Sequence, residues 1–276
     1  MPPIDLEYVS RRIEQFLRKY LARSSAHGYV LGVSGGIDSA VVLALLVRAL
    51  GPSKVVALIM PDPEVTPRED LEDALSLVES YGVEHYVIEI DRVVKAFAET
   101  LPFFDPSHNL ATGNLRARVR MCMLYYYANR FNMLVAGTSD KSEILLGYFT
   151  KYGDGGADVL PLGDLYKTYV RQLGAWLGIP KRIVEKPSRP GLWPGHLAEE
   201  ELGAKYEVID AILYRYVELL MDVDEIAQEI GVDRKLVESI VRRIHLNEHK
   251  RKMPPIPRVS RWCVYHDWRM PVELEV

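Results

Sequence analysis

Apolar residues recur along this chain in two rhythms. Leu6, Val9, Ile13, Phe16, Leu17, Tyr20 and Leu21 fall on one helical face, so an amphipathic helix opens the sequence. Short unbroken apolar runs follow: YVLGV (29–33), KVVALIM (54–60), HYVIEI (85–90) and MLVAGTS (133–139). Between them, DSAVVLALLVRAL (ended by Gly51-Pro52), TPREDLEDALSLVESYG and NLRARVRMCMLYYYANRF read as helices. Buried strands that alternate with helices predict a doubly wound α/β fold, with a mainly parallel sheet covered on both faces. From about Glu199 to Leu246 the pattern is helical only, and a proline-rich tail, KMPPIPRVSRW, follows. No flexible linker intervenes. The expectation is one domain over 1–276, with an α/β core at about 25–185 and a helical C-terminal part at about 199–250 packed on it.

Composition narrows the function only by exclusion. A net charge of −4 gives no overall field that favours nucleic acid or an anionic membrane. The longest apolar run, Ala40 to Val47, is far short of the roughly 20 residues that span a bilayer. The opening MPPIDLEYVSRRIEQF carries charges and no apolar signal core, so a cytoplasmic soluble protein is expected. Cys122 and Cys263 leave a single bridge open but form no paired-cysteine metal motif.

The chemistry starts at the end of the first strand, in GVSGGIDS (32–39). Gly35 and Gly36 allow close backbone approach to a phosphate, while Ser34 and Ser39 offer hydroxyls. The lysine of the G-x-x-x-x-G-K-[ST] pattern is missing. Asp38 beside an anion makes sense with a Mg²⁺ between them. The whole S-G-G-x-D-S pattern at a strand end resembles the loop of the ATP pyrophosphatase superfamily. That resemblance implies an adenine nucleotide alpha hydrolase-like fold, cleavage of ATP between its α and β phosphates, and pyrophosphate held in this loop.

Further motifs select within the superfamily. GTSDKSEILLGYFTKYGDGGADVLPLGDLYKTYVRQLGAWLGIP (137–180), GNLRARVRM (113–121), ELGAKYEVID (201–210) and EHKRKMPP (248–255) are similar to the NAD synthetases, in their short, ammonia-dependent form. The resemblance implies that nicotinic acid adenine dinucleotide, ATP and ammonia are the substrates and that the protein is a homodimer. It implies ATP contacts at Gly32, Val33, Ser34, Gly35, Gly36, Ile37, Asp38, Ser39, Thr138, Lys167 and Ser188. Asp38 and Glu143 would share Mg²⁺, and Lys167 would supply the cation that the loop lacks. Lys151, Asp158, His249 and Lys250 match contacts to the dinucleotide. Asp154, in KYGDGGAD, is the candidate to hold ammonium and accept its proton.

Helical geometry sorts the arginines of NLRARVR. Leu115, Val119, Cys122 and Tyr126 form one stripe at roughly 100° per residue. Arg118 lies at its edge and also matches the family's dinucleotide contact. Arg116 and Arg120 point away and are expected to be solvated. Two departures stand against the family pattern: His196-Leu197-Ala198 replaces polar residues, and Pro63 stands where serine is usual. One competing reading concerns 224–244, whose helix, turn at Gly231 and basic second helix fit a helix-turn-helix. Interspersed Glu225, Glu229 and Glu238 favour instead an ordinary helical pair that packs Ile226, Ile230, Val237, Ile240 and Ile244.

Overall fold

The computed structural model describes residues 1–262. Helix α1 (Leu6–Ser24) starts on Asp5, whose side chain accepts from the Tyr8 N–H, and ends in left-handed Ser25. The α/β part runs β1 (Tyr29–Gly32), α2 (Ile37–Leu50), β2 (Val55–Ile59), α3 (Arg68–Ser80), β3 (Glu84–Val87), α4 (Asp91–Thr100), α5 (Asn109–Phe131), β4 (Leu134–Val135), α6 (Lys141–Leu146), α7 (Lys167–Trp176) and α8 (Lys181–Val184). The helical part comprises α9 (Ala198–Leu202), α10 (Tyr206–Val217), α11 (Val223–Ile230), α12 (Arg234–Leu246) and α13 (Glu248–Arg251).

All four strands are parallel, in the order β3-β2-β1-β4. Alternation along them divides the core. Tyr29 and Leu31 of β1 and Val55, Ala57 and Ile59 of β2 face α1, α2 and α7. Val30, Val56 and Leu58 point to the opposite face, under α5. The doubly wound fold read from the apolar rhythm is therefore the observed one. Helix α2 is buried from Ala40 to Leu46, which explains why its sequence is apolar all round rather than amphipathic.

Several boundaries differ from the sequence expectation. MLVAGTS yields only two paired strand residues, because beyond Val135 the chain turns to the 158–159 segment: Ala136 bridges Val159, and the Gly137 N–H donates to the Val159 carbonyl at 2.9 Å. The run at 85–90 gives a strand of four residues, and its last apolar residue, Ile90, is the N-cap of a helix, α4, that the pattern did not reveal. Helix α5 begins at Asn109, where the His108 ring accepts from the Ala111 N–H. On α1, Phe16 and Tyr20 are exposed and pack on one another, while Leu17 alone of the expected stripe is fully buried.

The pair α11–α12 packs through Ile226, Val237, Ile240 and Ile244, all at most 7% exposed, as the ordinary-pair reading requires. Gly231 caps α11 in the left-handed conformation, and Arg234 is paired with Asp224 and Glu238. Among the described residues, no helix is long and apolar enough to cross a membrane. Cys122 is a free, exposed thiol; Cys263 lies outside the described residues.

Candidate active site

Strand order places a topological switch between β1 and β4, where a crevice opens at the carboxyl ends of the strands. A cavity of about 400 Å3 lies there. Its walls run from the 32–39 loop and β2 to the N-terminal half of α5, the 147–156 loop and the 186–196 segment.

The 32–39 loop is built for an anion. Gly35 adopts φ +81°, and a Cβ there would fall 2.1 Å from the Asp70 carbonyl oxygen, so only glycine fits. Ser34 and Ser39 brace the turn: the Ser34 N–H donates to Ser39 Oγ at 3.2 Å, and Ser39 Oγ donates to the Gly36 carbonyl at 3.1 Å. Gly36 caps α2 without a side chain, which leaves the first N–H groups of that helix directed toward an incoming anion.

Behind this loop sits a charged cluster. Lys167, first residue of α7, is fully buried. Its ammonium lies 2.6 Å from Asp38 Oδ2, 2.9 Å from Glu143 Oε1 and 3.0 Å from Asp140 Oδ2. It is not a solvated surface lysine. Asp38 and Glu143 line the cavity, whereas Asp140 and Lys167 lie behind them. Burial pulls the Lys167 ammonium down, but Asp140, Asp38 and Glu143 outweigh it and hold its pKa well above the ordinary lysine value. Three carboxylates exceed one ammonium, and burial disfavours the excess negative charge. Glu143 is raised well above its usual range, and Asp140 is pushed up to about 7.

The cluster is fixed from below. Asp140 and Glu143 form a reciprocal capping box at the start of α6. Ser142 Oγ accepts from the Lys167 N–H at 2.9 Å and donates to Asp210 Oδ1 at 2.5 Å, and Asp210 Oδ2 accepts from the Thr168 N–H at 2.8 Å. Asp210 belongs to α10, so the helical C-terminal part holds the lysine's helix in place.

Asp154 lines the same cavity from the glycine-rich loop. Its Oδ1 accepts from the Thr150 N–H at 2.8 Å, and protein around it raises its pKa through desolvation. The loop is tight: a Cβ at Gly155 would meet the Phe149 ring at 2.5 Å, and Tyr152 takes a left-handed φ of 60°. Lys250 closes the loop by donating to the Gly147 and Phe149 carbonyls at 2.6 and 2.8 Å. Arg251 does the same for the last carbonyls of α6, Ile144 and Leu145.

The dinucleotide candidates do not gather with these groups. Arg118 is exposed on α5 and donates to the Lys151 carbonyl at 3.3 Å; the Lys151 ammonium donates to the His249 carbonyl at 2.8 Å. Asp158 accepts from the Val135 N–H at 2.7 Å and from the Tyr125 hydroxyl at 3.2 Å. Of this set only Lys250 lines the cavity. Arg116 and Arg120 are not solvated, contrary to expectation. Arg116 pairs with buried Asp62 at 2.6 Å and donates to the Leu192 carbonyl, and Arg120 donates to the Met60 carbonyl at 2.9 Å. The buried face of α5 passes through them, while Cys122 and Tyr126 of the apolar stripe face outward.

The 186–196 segment covers the cavity and holds partners that sequence reasoning missed. Lys186 donates to Asp70 and Asp73, each at 2.6 Å, and to the Gly35 carbonyl at 3.3 Å. Ser188, like Thr138, lines the cavity, and its Oγ is buried without a partner. His196 stacks on Trp193 with ring centroids 3.5 Å apart and lies 2.8 Å from Glu201 and 3.1 Å from the Tyr148 hydroxyl. Of the replaced 196–198 triplet, His196 and Ala198 both line the cavity, and Ala198 is only 1% exposed.

No group of three or more His, Cys, Asp or Glu side chains is arranged as a ready metal site among the described residues. The cavity-facing pair nevertheless suits a hard cation: both donors are carboxylates, and Asp38 Oδ1 is buried with no hydrogen-bond partner.

A switch-point crevice with an N–H cradle, and acidic and cationic groups beside it, defines a nucleotide-binding α/β protein. The family model described as NAD synthase matches residues 9–254, and the chain belongs to that family. The NH(3)-dependent NAD(+) synthetase of Staphylothermus marinus is 50% identical over 254 residues, 92% of each chain. The protein of the same name from Aeropyrum pernix is 52% identical over 259 residues, 92% of this chain and 90% of that one. Among solved structures, the NMN synthetase of Francisella tularensis superposes with a TM-score of 0.80 at 36% identity, covering 92% of this chain and 99% of that one. The NH3-dependent NAD synthetase of Campylobacter jejuni, solved with a nitrate ion, gives 0.77 at 33% identity, covering 93% and 100%.

Proposed function

We propose that this chain amidates the nicotinate carboxylate of nicotinic acid adenine dinucleotide with ammonia and ATP, yielding NAD, AMP and pyrophosphate. Family membership supports the reaction. The observation that supports it in the molecule is the presence of two unlike sites on one cavity: the 32–39 loop with Asp38 and Glu143, backed by Lys167, and the carboxylate Asp154.

In this reading the N–H groups at the start of α2, with Ser34 and Ser39, bind the phosphates of ATP. Gly32, Val33, Ile37, Thr138 and Ser188 contact the rest of the nucleotide. A carboxylate oxygen of the nicotinate attacks the α-phosphorus, the α–β bridge breaks, and pyrophosphate leaves into the cradle. Asp38 and Glu143 would hold Mg²⁺, which supplies positive charge to the departing pyrophosphate. Lys167 contributes a cation that stays charged at any working pH. Asp154 holds ammonium beside the adenylated carbonyl, and its raised pKa suits it to take the proton as ammonia attacks and AMP departs.

Arg118, Lys151, Asp158 and His249 bind the dinucleotide outside the cavity, and Lys250 at its edge. Tyr125 donates to Asp158, and exposed aromatic groups lie on the same helix and on α1: Tyr126 is 74% exposed, Tyr20 40%. Burying this face against a second copy would form a homodimer whose interface completes the dinucleotide site. A cytoplasmic enzyme is consistent with the substrates. The test is a product assay with nicotinic acid adenine dinucleotide, ATP, Mg²⁺ and ammonium. NAD, AMP and pyrophosphate should rise together in equal amounts; ATP turnover without NAD would overturn the reading.

A further inference from the structure

The four charges around Lys167 raise a problem of competition. Lys167 Nζ donates to Asp38 Oδ2 and Glu143 Oε1. Those same two carboxylates face the cavity and are the ones suited to a divalent cation. A metal held by both would compete with a fully buried ammonium for their negative charge, and an uncompensated buried cation is strongly destabilising.

Asp140 resolves the conflict. It is fully buried, lies behind the cavity wall, and its Oδ1 accepts from the Glu143 N–H at 2.8 Å, so it cannot swing toward a ligand. Its Oδ2 stands 3.0 Å from Lys167 Nζ but outside hydrogen-bonding alignment, and finds no other partner. That oxygen already pairs with the ammonium by charge, and no aligned hydrogen bond yet occupies it. The formal charges agree: three carboxylates and one ammonium sum to −2, which a divalent cation brings to zero.

We propose that Asp140 is the retained counter-ion of Lys167, a positioning residue that keeps the ammonium compensated when a divalent cation engages Asp38 and Glu143. The proposal rests on the metal assignment made above for those two carboxylates. Asp140 touches neither substrate nor metal. It acts by letting Lys167 stay charged and in place while the metal enters.

The test uses Asp140→Asn, which keeps a good N-cap for α6 and removes only the charge. The readout is the Mg²⁺ concentration at half-saturation for binding α,β-methylene ATP, a non-cleavable analogue, followed by calorimetry on the full chain. With Asn, the metal-bound cluster carries one uncompensated positive charge, so half-saturation should need roughly tenfold more Mg²⁺ or beyond. In D140N/K167M the charge balance returns to zero with metal bound, so its Mg²⁺ midpoint should lie below that of D140N, whatever the loss of Lys167 costs in affinity for the analogue itself. A merely structural aspartate would instead lower thermal stability without moving the Mg²⁺ midpoint, and the double variant would rescue nothing. That result overturns the proposal while leaving the metal assignment intact. An unaltered chain whose analogue binding ignores Mg²⁺ would overturn both.

Discussion

Lys186 supports a prediction worth developing in full, because its partners are far away in sequence and its burial is high. The ammonium is 11% exposed and contacts Asp70 and Asp73, themselves 11% and 9% exposed. Replacing it with methionine preserves most of the volume and leaves two nearly buried carboxylates short of a cation. Breaking a buried pair in this way costs about 3–5 kcal/mol. Partial compensation remains, since Arg182 reaches Asp73 at 2.5 Å and Arg189 lies 3.7 Å from Asp70. The low end, about 3 kcal/mol, is therefore expected, a fall in Tm of roughly 6–12 °C for a chain of this size. Function should suffer too, because Lys186 also donates to the Gly35 carbonyl and so ties the 186–196 segment to the phosphate loop. Denaturant melts and KM for ATP, measured on K186M, check both parts. A loss under about 0.5 kcal/mol with unchanged KM, the range of an ordinary surface substitution, would refute the reasoning. K186M/D70N/D73N should recover most of the stability, since no carboxylate is then left unpaired.

Further outcomes follow from other sites. Gly35→Ala should abolish ATP binding in calorimetry and cost about 1–2 kcal/mol from the left-handed backbone alone, before the clash with Asp70 is counted. Arg118→Ala should raise KM for nicotinic acid adenine dinucleotide roughly tenfold, the worth of a hydrogen bond to a charged group, while leaving KM for ATP unchanged in the same assay. Burial, with Asp38 adding to it, lifts the Asp140 carboxyl to about 7 against the pull of Lys167. A raised carboxyl stabilises fully below its unfolded value of about 4 and loses that contribution as pH rises through its folded value. Metal-free protein should accordingly melt at lower temperature at pH 7.5 than at pH 5.5, and D140N should show a shallower decline across that window; equal slopes would contradict the assignment.

Much of the fold was legible because it rests on apolar rhythm. Runs such as YVLGV and KVVALIM are continuous since both faces of a parallel sheet are covered, and α2 is apolar all round since it is buried all round. The phosphate loop was legible for a local reason as well: its glycines, hydroxyls and carboxylate sit within eight consecutive residues. Lys186, Asp70 and Asp73 were not, because nothing within reach of Lys186 along the chain hints at partners 113 and 116 residues away. Asp140 did carry a signal, an aspartate three residues before Glu143 that predicts a capping box, yet capping and charge pairing cannot be separated without the fold. Helical periodicity misplaced Arg116 and Arg120 because it assumes that charge faces solvent; here buried Asp62 and the Met60 carbonyl receive them instead.

The central claim is that ATP is cleaved between its α and β phosphates by the nicotinate carboxylate itself. Nicotinic acid adenine dinucleotide labelled with ¹⁸O in that carboxylate, incubated with ATP, Mg²⁺ and ammonium, tests it directly by mass spectrometry of the products. The account predicts one labelled oxygen in AMP for each NAD formed and none in pyrophosphate. Label in inorganic phosphate together with ADP, or unlabelled AMP, would contradict it.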